Sequence, residues 1–145
     1  MRFMVILKTT PEVEKANAAK GPTEELLNAM GKLNSDMVKA GVLLSGEGLA
    51  PSDTGVKVTI TTDDVVVLDG PFAESKKLIA GFWLLQVSSR EEAVEWVKRI
   101  PTEAGETTEV EVRRIMEADD FGDEFTPEAR AAEEKLRQQI AEQHG

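Results

Sequence analysis

Cysteine is absent from this chain, which excludes disulfide bonds, thiolate nucleophiles and cysteine-based zinc or iron–sulfur sites. Aromatic residues amount to 5%, so any core is built mainly from aliphatic side chains. Histidine occurs once, as His144 in a polar terminal stretch, where it reads as a solvated surface residue rather than a base or ligand. Paired carboxylates at glycosidase spacing, a phosphate-cradling glycine loop, a Ser–His–Asp set and a metal cluster are all missing, so no cofactor and no metal are expected. Positive charge is also in deficit: 17 Lys and Arg stand against 27 Asp and Glu, for a net charge of −10. A pI near 4.6 repels phosphate backbones and anionic lipid headgroups, so neither nucleic acid nor membrane is an expected partner. No apolar run reaches the roughly 18 residues of a spanning helix. The run Phe3–Leu7 behind Arg2 lacks a small-residue cleavage pattern, so the chain reads as cytoplasmic.

What is present fits one globular domain: 145 residues, 41% hydrophobic and 30% charged. Phe3–Leu7 is five apolar residues in succession and predicts a strand buried on both faces. A polar stretch from Thr9 to Pro22 separates it from Leu26, Met30, Leu33 and Met37, whose spacing marks one face of a helix opened by Pro22 or Thr23 and ended by Gly41. Val42–Leu49 predicts a second strand, in which Gly46 and Gly48 leave room for a bulge or a close backbone approach. Val56, Val58 and Ile60 alternate with polar residues, and Asp63 and Asp64 turn the chain into Val65–Leu68, a hairpin expected to have one wet face.

Leu78–Val87 is the longest apolar run, polar only at Gln86, and predicts a central strand. Ser89 and Glu92 form a capping-box pair before a helix face of Ala93, Val97 and Ile100, which Pro101 stops. Glu109–Ile115 closes the pattern as a strand with Val110 and Val112 inward. The order is that of a ferredoxin-like α+β fold, βαββαβ with an inserted hairpin, over residues 1–116. Two strands are apolar on both faces, yet the helices can hide only one. A second copy packed on the other face gives a homodimer and a dimeric α/β barrel; the chain's own C-terminus is the alternative cover. Residues 117–145 carry −6 of the charge and form an acidic linker with Phe121 and Phe125 as tethers, then a helical arm capped by Thr126 and Pro127 with a narrow stripe at Ala132, Leu136 and Ile140.

The segment Asp69-Gly70-Pro71-Phe72-Ala73-Glu74 resembles the signature of the YCII-related proteins of the DGPF type. The likeness extends over residues 2 to about 116 through the opening strand, Ala40–Leu49, Gly81-Phe82-Trp83, Glu95-Trp96-Val97 and Ile100-Pro101. It implies a dimeric α/β barrel whose chemistry is largely unassigned. The better-described branch is thought to use a histidine in the first helix and an aspartate after the second. The matching positions here are Met30 and either Ile100 or Pro101, none of which transfers a proton.

Other candidates must carry any chemistry. Glu47, between two glycines on a strand, becomes a general base if the fold buries it, and is otherwise a solvated charge at a bulge. Asp69 is a second acid–base candidate at the barrel mouth, although Asp before Gly-Pro also suits an Asx-type turn. Phe72 anchors that turn in the core; Glu74, Ser75, Lys76 and Lys77 form a polar entrance where Lys77 can meet an anionic substrate group. Trp83 and Trp96 either line a pocket for a flat molecule or pack in the core. Two functions remain open: small-molecule binding with cofactor-free proton transfer or oxidation in a dimer cleft, or a non-catalytic interaction module linked to transcription regulation.

Overall fold

In the computed structural model, residues 1–72 and 77–145 are described, so the expected entrance at Glu74, Ser75 and Lys76 lies outside the described residues. The chain divides into two compact units, Met1–Arg114 and Ile115–Gly145.

In the first unit four antiparallel strands pair in the order β2-β5-β1-β6, where β1 is Arg2–Thr9, β2 Leu43–Gly48, β5 Leu78–Gln86 and β6 Val110–Arg114. With helices α2 (Glu24–Lys39) and α3 (Arg90–Val97) between them, this is the ferredoxin-like α+β arrangement. Alternation along β1 and β5 sorts their apolar runs onto two faces. Phe3, Val5, Trp83 and Leu85 join Leu33 and Met37 of α2 and Ala93 of α3 in one buried cluster, with Val110 and Val112 packed against it. Val5 and Leu85 are 1% exposed, and each such burial contributes about 1.5–3 kcal/mol. On the opposite face the cross-strand register lines up Glu47, Phe82, Ile6 and Glu111 in one row, and Ser45, Leu84, Met4 and Arg113 in the next. Its centre is therefore apolar and its edges polar. Between β1 and β5 the ladder slips at Leu7 and Lys8, which pair with Gly81 and Ile79, so Ala80 is a supernumerary residue in β5.

Two expectations need correction. The polar stretch Thr9–Pro22 contains a helix, α1 (Pro11–Lys20), which buries none of its residues. Its ends rather than its faces define it: the Thr10 hydroxyl accepts from Val13 N–H, Pro11 opens the first turn, and Gly21 N–H closes on the Asn17 carbonyl. The hairpin, β3 (Val56–Ile60) and β4 (Val65–Asp69), is a separate two-stranded sheet, and all ten of its strand residues are exposed rather than those of one face. Period-two alternation in β3 implies a buried side, but β4 runs Val-Val-Val-Leu and, among the described residues, the hydrophobic core packs against neither strand.

The caps of α3 carry a pH signature. Ser89 Oγ accepts from Glu92 N–H, while the Glu92 carboxylate reaches one residue further back than the predicted box, to the hydroxyl and N–H of Ser88. Those bonds, the hydroxyl's first, hold Glu92 below its ordinary value, and Asp36 is held down by Lys32 and then Arg99. Groups whose pKa is lowered on folding stabilise above their unfolded values and lose that contribution as pH falls through the folded ones. The melting temperature is therefore expected to fall below about pH 4.3. Asp36→Asn should shallow that acid limb; an unchanged limb in a pH series of thermal melts would refute the assignment.

In the second unit Thr126 caps α4 (Pro127–His144), accepting from Ala129 N–H, with Pro127 in the first turn as expected. Phe121 and Phe125 pack with ring centroids 5.2 Å apart, and Arg130 lies over Phe125 while bonding Asp119. Leu136 and Ile140 stay exposed, and His144 is the last helical residue. Among the described residues no helix is long and apolar enough to cross a membrane.

Candidate functional site

The helix-facing side of the sheet holds a cleft of about 220 Å³ between α2 and the β2–β5 pair. Leu7, Met30, Asn34 and Trp83 line it, with Gly46–Gly48 as a rim. The positions follow from period: Met30 and Asn34, four apart, lie on one face of α2, at the edge of the stripe that buries Leu33 and Met37. Trp83 pairs across the ladder with Gly46, where an added Cβ would come within 2.9 Å of the indole. The missing side chain at 46 lets the ring lie over the edge strand and donate its N–H to Asn34 Oδ1 at 2.9 Å. Because an indole can only donate, this bond fixes the Asn34 amide with its oxygen toward Trp83, and among the described residues its N–H groups have no further partner.

A wider hollow of about 530 Å³ adjoins this cleft and shares Leu7, Met30 and Ala80 with it. Lys8, Thr10, Asn17, Lys77 and Glu109 make it polar. Lys77 is paired with Glu109, and that bond, followed by the charges of Lys77 and Lys8, holds the Glu109 carboxyl below its ordinary range. Two cations and one ionised carboxylate thus gather at this end of the ladder, where Lys8, paired with Ile79 and alternating with Leu7, belongs by register to the opposite sheet face. Among the described residues no group of three His, Cys, Asp or Glu is arranged to hold a metal.

The expected site residues are scattered. Trp83 lines the narrow lobe and Lys77 the wide one. Glu47 contributes to the rim, but its register with Phe82 assigns its side chain to the opposite sheet face. Asp69 pairs with Val56 at the root of the hairpin, is exposed, and lines neither lobe, so the two carboxylates are not brought together. Phe72 is half-buried at the same root with Lys57 4.8 Å from its ring centre, rather than in the core. Trp96 packs against the core with Arg99 over its ring. Asn34, Lys8 and Glu109 were not singled out from sequence; of these, only Asn34 left a trace, as a polar residue bordering an apolar stripe. Met30 lines both lobes, and Pro101 lines the wide one.

Comparison with known proteins gives a match to the YCII-related domain over residues 1–118. A curated relative, an uncharacterised protein of Rhizobium meliloti, is 27% identical over 97 residues, covering 67% of this chain and 78% of its own length.

Proposed function

The chain belongs to the YCII-related family, and from that premise we propose that it acts as a homodimer that binds a small organic acid in the two-lobed cleft. The observation that carries the reading is the Asn34–Trp83 pair, which turns an apolar slot into one with two outward amide donors. A flat apolar body fits against Trp83, Met30 and Leu7, one of its oxygens takes the Asn34 amide, and a carboxylate reaches Lys77 at the wider lobe. Glu47 and Asp69, the acid–base candidates, stand apart from each other, which favours binding over proton transfer. The open sheet face centred on Met4, Ile6, Phe82 and Leu84 supports the dimer, and the lack of cysteine suits a cytoplasmic setting. An interaction module is the second reading, supported by the acidic residues 117–145 and by a helix α4 that buries none of its side chains.

A thermal-shift screen of small aromatic and keto acids at pH 7 tests the binding. A ligand at a hundredfold excess over its Kd stabilises by about 2.7 kcal/mol, a rise of several degrees. Asn34→Ala should remove that rise while leaving a folded protein. A panel without a single shift, or a shift that survives Asn34→Ala, overturns the site.

A further inference from the structure

We infer that the β3–β4 hairpin is a docking blade whose partner is a second copy of this chain; this rests on the dimer proposed above and adds a contact that the sheet face alone does not supply. The ladder places Val56, Val58 and Ile60 beside Val67 and Val65 on one side of the hairpin. These five aliphatic side chains are 50–74% exposed and form a greasy strip, bounded at its root by Asp69, the partner of Val56. Lys57, with its ammonium over Phe72, belongs to the other side, so the strip is the side turned away from that root contact.

The root is held firmly. The Glu14 carboxylate of α1 accepts from both the N–H (2.9 Å) and the hydroxyl (2.6 Å) of Ser52, and that hydroxyl accepts from Phe72 N–H at 3.3 Å. Gly70 N–H donates to the Gly55 carbonyl, tying the two strand ends together. A two-stranded ribbon is marginal alone. One that is clamped at its base and apolar along its length is pre-organised for a partner, because little freedom remains to be lost on docking.

Area and charge select the partner. A stable interface takes roughly 800 Å² from each side, whereas the four half-buried side chains on the open sheet face offer on the order of 200 Å². The hairpin strip adds on the order of 450 Å² and brings the sum near that requirement. The hairpin tip carries Asp63 and Asp64, and the β6 edge carries Arg113, which is 70% exposed and only loosely paired with Glu111 at 3.5 Å, so a tip laid near that edge would offset part of the repulsion between two chains of net charge −10.

The test uses the full chain. Val58→Lys with Val67→Glu replaces the strip's centre by a cross-strand pair that keeps the hairpin and the net charge. By sedimentation, the variant is expected to dimerise at least tenfold more weakly than the parent, with an unchanged circular dichroism spectrum. A parent that is monomeric at 50-fold dilution and at high concentration alike defeats the dimer reading itself; a dimeric parent and an equally dimeric variant defeat the hairpin inference alone. Hydrogen exchange across residues 56–69 supplies the second arm. Protection that grows with protein concentration supports docking on a twin, and protection independent of concentration assigns the strip to another part of the same chain and overturns the inference.

Discussion

Replacing Trp83 with alanine is expected to destabilise the protein by about 3–5 kcal/mol, the range for removing a large aromatic side chain from a core. Trp83 is 8% exposed, touches the core cluster on one edge and lines the cleft on the other. Two losses are folded into the number: packing, and the Asn34 oxygen left without its donor. Trp83→Phe separates them, since it keeps most of the ring volume and forfeits only the hydrogen bond, worth about 0.5–1.5 kcal/mol. Urea unfolding of both variants checks the division. Equal costs for alanine and phenylalanine would mean that the hydrogen bond, not the ring, stabilises this edge of the sheet.

Gly70→Ala is expected to cost about 3 kcal/mol or more, at the upper end of overpacking effects. A Cβ at this position would fall 1.7 Å from the Ser52 carbonyl oxygen and 2.8 Å from its carbon, both backbone atoms that no rotamer change can move aside. The 3-10 turn Ser52–Thr54 must shift, and with it the bonds from Ser52 to Glu14 and from Phe72 to Ser52. The Asp-Gly-Pro-Phe segment is thereby explained as architecture: its glycine admits the approach of a second backbone, and its phenylalanine seats the hairpin. Glu14→Gln, which keeps the shape of the clamp and removes its charge, should cost far less by the same urea measurement. A Gly70→Ala protein as stable as the parent would show that the two turns are not locked.

The strand and helix pattern of residues 1–114 was legible because burial writes itself into period. Phe3–Leu7 and, but for Gln86, Leu78–Val87 are apolar because these are the two central strands, with one face under the helices and the other forming the apolar centre of the open face, and Leu26, Met30, Leu33 and Met37 mark the face that α2 turns inward. Helix α1 escaped notice because it buries nothing; only Thr10-Pro11 and Gly21 announced its ends. The hairpin is legible in the sequence but its surroundings are not, because alternation reports which side is greasy and not whether anything lies against it. The site was the least legible part. Asn34 and Trp83 are 49 residues apart and Glu14 and Ser52 are 38 apart, and such pairings come from tertiary packing rather than from any local pattern. Glu47 drew attention for its flanking glycines, whereas Gly46 matters for the indole it accommodates.

Ala80, the extra residue in β5, touches both lobes of the cleft, and every strand residue around it already has a partner in the ladder. Loss of that one codon would let β5 run straight against β1 without exchanging which side chains face the helices, at the cost of the Ala80 carbonyl that accepts from Leu49 N–H beyond β2. A one-residue deletion at this point of the most apolar strand would thus remove a bulge without inverting its faces, whereas the same deletion elsewhere in the strand would turn core side chains outward.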